Sequence, residues 1–143
     1  MKVIFLDHQG VMYLKKHPNV GKLDPFDSEC IKVLNSILIQ TGAEIVVSSD
    51  WKYWVTLDEM KKFYLDQGII KSPIDYTTKR PGQDYAKERS IEILEWLGNN
   101  SVDRWVSIDD LDMRNYLKNF IFVEDINQGI KGIGVKEKLL KYL

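Results

Sequence analysis

The chain has 143 residues, of which 44% are hydrophobic and 29% charged, and its formal net charge is −1. A chain of this length suits one domain over residues 1–143, which buries about two-thirds of its unfolded surface, and its composition excludes a disordered protein. It holds no run of about 18 consecutive apolar residues, so we expect no membrane span, and its near-neutral charge excludes a surface built throughout to neutralise nucleic acid.

The single cysteine, Cys30, has no partner for an intramolecular disulfide, and the first residues enter an apolar run without a signal-peptide pattern. We therefore expect a cytoplasmic protein. Two basic clusters, Lys15-Lys16-His17 and Lys79-Arg80, are either solvated surface charge or local contacts for a polyanion.

The first half of the chain reads as strand, helix, strand. Residues 2–7 are nearly all apolar up to Asp7, which is typical of a strand buried on both faces of a parallel sheet. After a polar loop with Pro18, residues 27–40 place apolar side chains at helical spacing. Residues 44–49 form a second short apolar run that ends in two serines.

The second half continues the alternation. We predict a helix at 57–67, an irregular piece with Pro73 that can hold a short strand at 69–76, a helix at 84–97, strands at 105–108 and 120–123, and a helix at 135–143. The third helix is indicated by Ile91, Leu94, Trp96 and Leu97. Such an order predicts an α/β fold with a mainly parallel sheet.

Polar side chains follow three of the predicted strands: Asp7, then Ser48 and Ser49, then Asp109 and Asp110. Ligands of parallel α/β sheets bind beyond the carboxyl ends of the strands. Carboxylates from two neighbouring strands would form a negative site suited to Mg²⁺, and a metal beside hydroxyls suggests phosphoryl chemistry. Each feature alone is also typical of a turn or helix cap, so the prediction depends on their repetition.

The run V-I-F-L-D-H-Q-G-V-M resembles the first motif of the haloacid dehalogenase (HAD) superfamily, whose first aspartate attacks phosphorus and binds Mg²⁺. The resemblance implies that role for Asp7 and an aspartyl-phosphate intermediate. I-V-V-S-S-D-W-K resembles the second motif, which implies a phosphate-binding Ser49 in preference to Ser48. W-V-S-I-D-D resembles the fourth motif, which implies metal binding by Asp109 and Asp110.

The third motif of that superfamily is a lone basic residue, which no pattern identifies by itself. The run R-S-I-E-I-L-E-W-L is similar to a stretch in the HAD domain of Swiss Army Knife RNA-repair proteins, and the similarity implies Arg89 as the phosphate-binding residue. Arg80, Lys79 and Lys87 are the alternatives, and Arg89 could instead be a solvated residue of the first helical turn. The resemblance implies a three-layer α/β/α, Rossmann-like fold.

Gln9 stands where phosphatases of the superfamily carry a second aspartate, which protonates the leaving group and then activates water. The metal ligand at that position is a main-chain carbonyl, which Gln9 retains. We therefore expect Mg²⁺ and phosphate binding with slowed turnover. Three alternatives follow. Gln9 could position water while His8 or a good leaving group replaces the acid. The chain could instead be a phosphotransferase or phosphonatase-like relative, or it could be a non-catalytic binding module. Strand alternation would turn His8 to the opposite side from Asp7.

The spacing between the motifs leaves no room for a cap domain, and in this superfamily an open site accompanies large substrates. The resemblance implies a phosphorylated partner such as a nucleic-acid end. Four aromatic residues near the strand ends are candidates for base stacking, with a core or surface role as the alternative: Tyr13, Trp51, Tyr53 and Trp54.

Overall fold

Five parallel strands form the central sheet of the computed structural model, which describes residues 1–16, 21–80 and 84–143. His17 of the basic cluster and Pro18 of the predicted loop lie outside the described residues. The strands are β1 Lys2–Leu6, β2 Glu44–Val47, β3 Asp75–Tyr76, β4 Arg104–Asp109 and β5 Phe120–Phe122. The helices are α1 Ser28–Thr41, α2 Leu57–Asp66, α3 Tyr85–Gly98 and α4 Val135–Leu140. Two 3₁₀ turns occupy Asp50–Tyr53 and Gly129–Lys131.

The strand order is β3-β2-β1-β4-β5, so β1 lies between β2 and β4. Leu6, the last residue of β1, is in register with Val47 of β2 and with Ile108 of β4. The three strands therefore end at the same level. Because they run in parallel, the residues that follow each strand meet at one edge of the sheet.

Side chains of β1 alternate between the two faces of the sheet. Ile4 and Leu6 belong to a core shared with α1, α2 and α4, whereas Val3 and Phe5 belong to a core shared with α3 and the β4–β5 connection. Strand side chains point alternately to opposite faces, and both faces are covered. The fold is thus the α/β arrangement that the element order predicts, in the three-layer, Rossmann-like form that the family resemblance implies.

The first two helices begin and end where the local chemistry of the sequence requires. The Asp27 carboxylate accepts hydrogen bonds from the main-chain N–H groups at the start of α1, which ends at Gly42 in the left-handed conformation (φ 69°). At α2, Thr56 and Glu59 form a capping box. Helix ends are well specified because their unpaired backbone groups need partners.

The prediction for α3 is correct in extent and wrong in one part of its buried face. Leu94 is exposed, whereas Glu92, Ile93 and Trp96 are buried. The spacing of apolar residues predicted the wrong buried face because that face includes a charged residue, Glu92. Its partner, Lys52, lies 40 positions away in the chain.

In the described residues, the segments that join β1 to α1 and β2 to α3 hold no cap domain. None of the helices formed by residues 1–16, 21–80 and 84–143 is long and apolar enough to cross a membrane. The assignment of the chain to one domain stays a prediction.

Candidate active site

Asp7 directly follows β1, in the middle of the carboxyl edge of the sheet. Its main-chain N–H donates to the carbonyl of Ile108 on β4 (3.3 Å), which continues the strand pairing by one residue. Asp109 ends β4 beside it, and both carboxylates are buried. The adjacency of β1 and β4 therefore brings together acids that are about one hundred residues apart in the chain.

Asp110 completes a cluster of three carboxylates. One oxygen from each of Asp7, Asp109 and Asp110 lies within 4.8 Å of the other two. Gly10, with φ 77°, packs against the Asp110 carboxylate so closely that a Cβ atom at this position would collide with it. Burial and then the charge of Asp109 raise the pKa of Asp7 well above its usual value, and the same two causes raise the pKa of Asp110 to about 6.

Arg89 reaches the acid cluster from the second turn of α3. Its Nη1 atom lies 2.8 Å from Asp109 Oδ2 and 3.4 Å from Asp7 Oδ1, and Nη2 lies 3.0 Å from Asp50 Oδ1. Burial opposes its charge, but the Asp109 and Asp7 carboxylates outweigh burial and raise the pKa of Arg89. The guanidinium is therefore a fixed positive charge beside Asp7.

Of the alternatives to Arg89, Arg80 forms ion pairs with Glu88 and Glu95 on the outer side of α3. Lys79 lies with its ammonium nitrogen 5.5 Å from the centre of the Tyr53 ring. The structure brings Arg89 to Asp7, and the role of Arg89 as the third motif stays a prediction.

Ser48 and Ser49 follow β2 and are both buried. Ser49 lines the cavity in front of Asp7, and its hydroxyl accepts a hydrogen bond from the N–H of Trp51 (3.2 Å). The Ser48 hydroxyl is buried with no hydrogen-bond partner among the described residues. Ser49 is thus the serine that faces the cavity, as the motif comparison implies.

Gln9 also lines this cavity, and its side-chain Nε2 donates to the carbonyl of Lys15 (3.2 Å). His8 points the other way, as strand alternation predicts. Its Nε2 lies 2.7 Å from the Tyr64 hydroxyl of α2, and burial, followed by the charge of Arg89, lowers its pKa to about 3. His8 is therefore a buried polar residue outside the cavity.

The cavity in front of Asp7 measures about 400 Å³ and combines charged with aromatic walls. Its lining residues are Asp7, Gln9, Ser49, Asp50, Trp51, Trp54, Tyr85, Arg89, Asp110 and Leu111. Two of the predicted stacking residues are core residues instead, because Tyr13 and Trp51 are almost completely buried and pack against each other with ring centres 5.2 Å apart. Trp54 and Tyr53 remain accessible.

Sequence reasoning missed a buried polar network next to the site. Lys52, in the 3₁₀ turn after Ser49, donates to Glu92 Oε2 (2.7 Å) and to Thr77 Oγ1 (2.9 Å). One usable signal was present: Glu92 follows Arg89 by three residues and so shares its helix face. The network joins the segment that carries Ser49 to the helix that carries Arg89.

The three carboxylates fit a hard divalent cation. Carboxylate oxygens are the protein ligands that Mg²⁺ prefers. When ionised, Asp7, Asp109 and Asp110 carry three negative charges against the one positive charge of Arg89, which leaves a net charge of −2. Burial, and next the charge of Asp109, raises the pKa of both Asp7 and Asp110, and the positive charge of Arg89 opposes this effect only in part.

A five-stranded parallel α/β sheet with acids from adjacent strands at its carboxyl edge is consistent with the HAD class of fold. The family model described as the HAD domain in Swiss Army Knife RNA repair proteins matches residues 3–131. The chain belongs to this family. No curated protein and no solved structure matches it significantly.

Proposed function

We propose that the chain is an Mg²⁺-dependent phosphohydrolase that acts on phosphate monoesters, with Asp7 as the nucleophile. The observation that carries the proposal is the meeting of three carboxylates within 4.8 Å of one another, beside the buried guanidinium of Arg89, at the wall of an open cavity. One carboxylate attacks, while the surrounding charges balance the phosphate.

In the first step a carboxylate oxygen of Asp7 forms a bond to phosphorus while the bond from phosphorus to the ester oxygen breaks. The alcohol leaves with a proton from solvent, and Asp7 carries an aspartyl-phosphate. Water then attacks phosphorus and releases a proton to solvent, the bond between Asp7 and phosphorus breaks, and inorganic phosphate leaves while Asp7 returns to its carboxylate form. Arg89 and the Ser49 hydroxyl bind the non-bridging oxygens of the phosphoryl group.

The carboxylates of Asp7, Asp109 and Asp110, together with the main-chain carbonyl of Gln9, would hold Mg²⁺. The bound cation supplies neutralisation of phosphate charge, which lets an anionic nucleophile approach phosphorus. Arg89 donates a 2.8 Å hydrogen bond to Asp109 and so orients this carboxylate.

In this proposal Gln9 makes hydrolysis slow. An amide neither donates nor accepts a proton readily, so a general acid–base contribution of about 10²- to 10⁴-fold is absent. His8 cannot replace it, because its ring is buried and its Nε2 is bonded to Tyr64 on the far side of the sheet edge. We expect slow hydrolysis, fastest for esters with good leaving groups.

Nucleic-acid ends are the substrate class that we propose. Support comes from the uncapped site in the described residues, which leaves room for a large substrate, and from the RNA-repair description of the family. We propose the cytoplasm as the compartment because the chain has one cysteine, Cys30, and that cysteine is free.

The second candidate function is a phosphate-binding module without turnover. The observation that favours it is the side chain of Gln9, which faces the cavity in place of an acid and is already bonded to the Lys15 carbonyl. Binding of Mg²⁺ and a phosphorylated end would then be retained while Asp7 is not phosphorylated.

A phosphatase assay with p-nitrophenyl phosphate and Mg²⁺ separates the two candidates. Wild type, Asp7→Asn and Gln9→Asp are compared. The enzyme proposal predicts measurable wild-type activity, none in Asp7→Asn, and a gain of about 10²-fold or more in Gln9→Asp. Equal rates for wild type and Asp7→Asn, with activity only in Gln9→Asp, would favour the binding module.

A further inference from the structure

Two partly or largely accessible aromatic side chains, Trp54 and Tyr85, line the Asp7 cavity. Tyr85, the first residue of α3, is 68% exposed. Trp54 is partly buried and stacks on Trp51, with ring centres 5.1 Å apart and planes 21° apart. Trp51 is itself buried in the core. The Trp54 indole is therefore held against the core through Trp51, and the exposed Tyr85 ring lines the same cavity.

The lining of the cavity offers two kinds of surface. Asp7, Asp50, Asp110 and Arg89 contribute charged groups, while Trp54, Tyr85 and Leu111 contribute apolar surface. A phosphate ion alone would use only the charged groups. A ligand that uses both kinds of surface carries a phosphate and a flat apolar group.

We propose that Trp54 and Tyr85 form a stacking subsite for the base of the terminal nucleotide whose phosphate lies at Asp7. The inference rests on the proposed function, because it takes the phosphate site at Asp7 as given. Stacking accepts any base, since every base has an aromatic face, so the subsite would select for nucleotides without selecting a sequence.

A second cavity favours a nucleic-acid strand over a single phosphorylated side chain. It measures about 290 Å³ and shares Asp50, Tyr85 and Arg89 with the first cavity. Tyr53 and Arg80 also line it, and the Lys79 ammonium lies over the Tyr53 ring. Acids offset the cations of this cavity, because Glu88 and Glu92 also line it and Arg80 is paired with Glu88 and Glu95. The feature that suits a strand is therefore the exposed Tyr53 ring, which offers a second stacking surface.

The test is a binding measurement that needs no turnover. Labelled short oligonucleotides that end in a phosphate are titrated in Mg²⁺ buffer, one with a normal terminal nucleotide and one whose terminal nucleotide is abasic. The protein carries Asp7→Asn to prevent hydrolysis, alone or combined with Trp54→Leu, Tyr85→Leu or Tyr85→Phe. Tyr116→Leu is the matched control, because Tyr116 is 42% exposed and lies outside both cavities.

We expect the abasic end to bind about 5- to 100-fold more weakly than the normal end. Tyr85→Leu should remove most of that difference by weakening only the normal end, whereas Tyr85→Phe and Tyr116→Leu should preserve it. Competition by inorganic phosphate should be equal in all variants. Because Trp54 also packs on Trp51, Tyr85→Leu decides the matter if Trp54→Leu fails to fold.

Equal binding of normal and abasic ends would overturn the subsite. So would an equal loss for both ends in Tyr85→Leu, or tighter binding of a phosphotyrosine peptide than of the oligonucleotide. These outcomes are distinct from failure of the proposed reaction, because an absence of phosphate release in wild type leaves the binding comparison intact.

Discussion

Replacing Glu92 by glutamine should destabilise the fold far more than the loss of a surface ion pair. Lys52 and Glu92 form a 2.7 Å ion pair in which the side chains are 0% and 4% exposed. Burial is the largest influence on both groups: it lowers the pKa of Lys52 and raises the pKa of Glu92. Glu92→Gln keeps the shape of the side chain but leaves the Lys52 ammonium without its counterion.

The cost has an upper limit that follows from lysine chemistry. Breaking one partner of a buried pair typically costs about 3–5 kcal/mol. The loss cannot grow much larger, because Lys52 can release its proton and become neutral. Neutralising a lysine of ordinary pKa at pH 7 costs about 5 kcal/mol. The Thr77 hydroxyl remains as a neutral acceptor. We therefore expect Glu92→Gln to lower the free energy of unfolding by about 3–5 kcal/mol.

The loss should also depend on pH. In the variant, the folded-state pKa of Lys52 lies further below its unfolded value, so the unfolded chain binds more protons in that range and stability rises with pH. Denaturant unfolding of wild type and Glu92→Gln would show a recovery of up to about 3 kcal/mol between about pH 7 and pH 9. In the double variant Lys52→Met with Glu92→Met, most of the stability should return.

Lys62 and Asp66 on α2 provide the matched surface control. Their 2.6 Å pair is 76% and 58% exposed, so Asp66→Asn should cost about 0.5 kcal/mol or less. The reasoning would be refuted by a Glu92→Gln loss as small as that of Asp66→Asn, or by a large loss that does not change with pH.

Three further predictions concern other parts of the fold. Burial lowers the pKa of His8 to about 3, below the unfolded value near 6.5, so the contribution of His8 to stability is lost as pH falls from about 6.5. In the variant His17→Gln, His8 is the one histidine of the sequence, and its imidazole NMR shifts should stay constant down to about pH 4. Burial raises the pKa of the Cys30 thiol to about 12, so thiol reagents at about pH 8 should modify it only after unfolding. Gly10→Ala should weaken Mg²⁺ binding by about tenfold or more, measured by calorimetry, because the new methyl group displaces the Asp110 carboxylate.

Each of these predictions has its own control. Gly42 also has a left-handed φ of 69°, but a Cβ there meets nothing within 4 Å, so Gly42→Ala should lose stability without a change in Mg²⁺ affinity. An imidazole of His8 that titrates near its ordinary pKa would contradict the burial argument. Rapid labelling of Cys30 in the folded chain would do the same.

The carboxyl edge of the sheet was predictable because its signals are local. Three buried strands show up as short apolar runs, and each is followed by polar residues. Once β1 lies between β2 and β4, the parallel register alone brings Asp7, Ser49 and Asp109 to one edge. The acid cluster therefore follows from patterns within single strands plus one rule of topology.

The hydrophobic periodicity of the sequence did not suffice to predict Arg89 as a site residue. Its position near the start of α3 resembles that of any solvated arginine, and only the family resemblance singled it out. The structure adds the physical reason for its burial, which is its contact with Asp7, Asp50 and Asp109. Such contacts depend on how α3 docks on the sheet, which the helix sequence alone does not determine.

The burial of the Lys52–Glu92 network and of the aromatic residues also could not be predicted from the local sequence. Lys52 pairs with residues 25 and 40 positions further along the chain, so nothing local distinguishes it from a surface lysine. Trp51 and Trp54 differ by three positions, yet Trp51 is buried in the core while Trp54 stays partly accessible, because the 3₁₀ turn packs Trp51 against Phe63 of α2. Burial of a single side chain is a tertiary property.

The most direct test of the central claim is intact-protein mass spectrometry of an acid-quenched reaction with p-nitrophenyl phosphate and Mg²⁺. We predict that wild type gains the mass of one phosphoryl group, that peptide mapping assigns it to Asp7, and that Asp7→Asn gains none. Because Gln9 cannot activate water, the adduct should persist longer in wild type than in Gln9→Asp. Phosphate release from wild type without any adduct, or an equal adduct on Asp7→Asn, would contradict the assignment of Asp7 as the nucleophile.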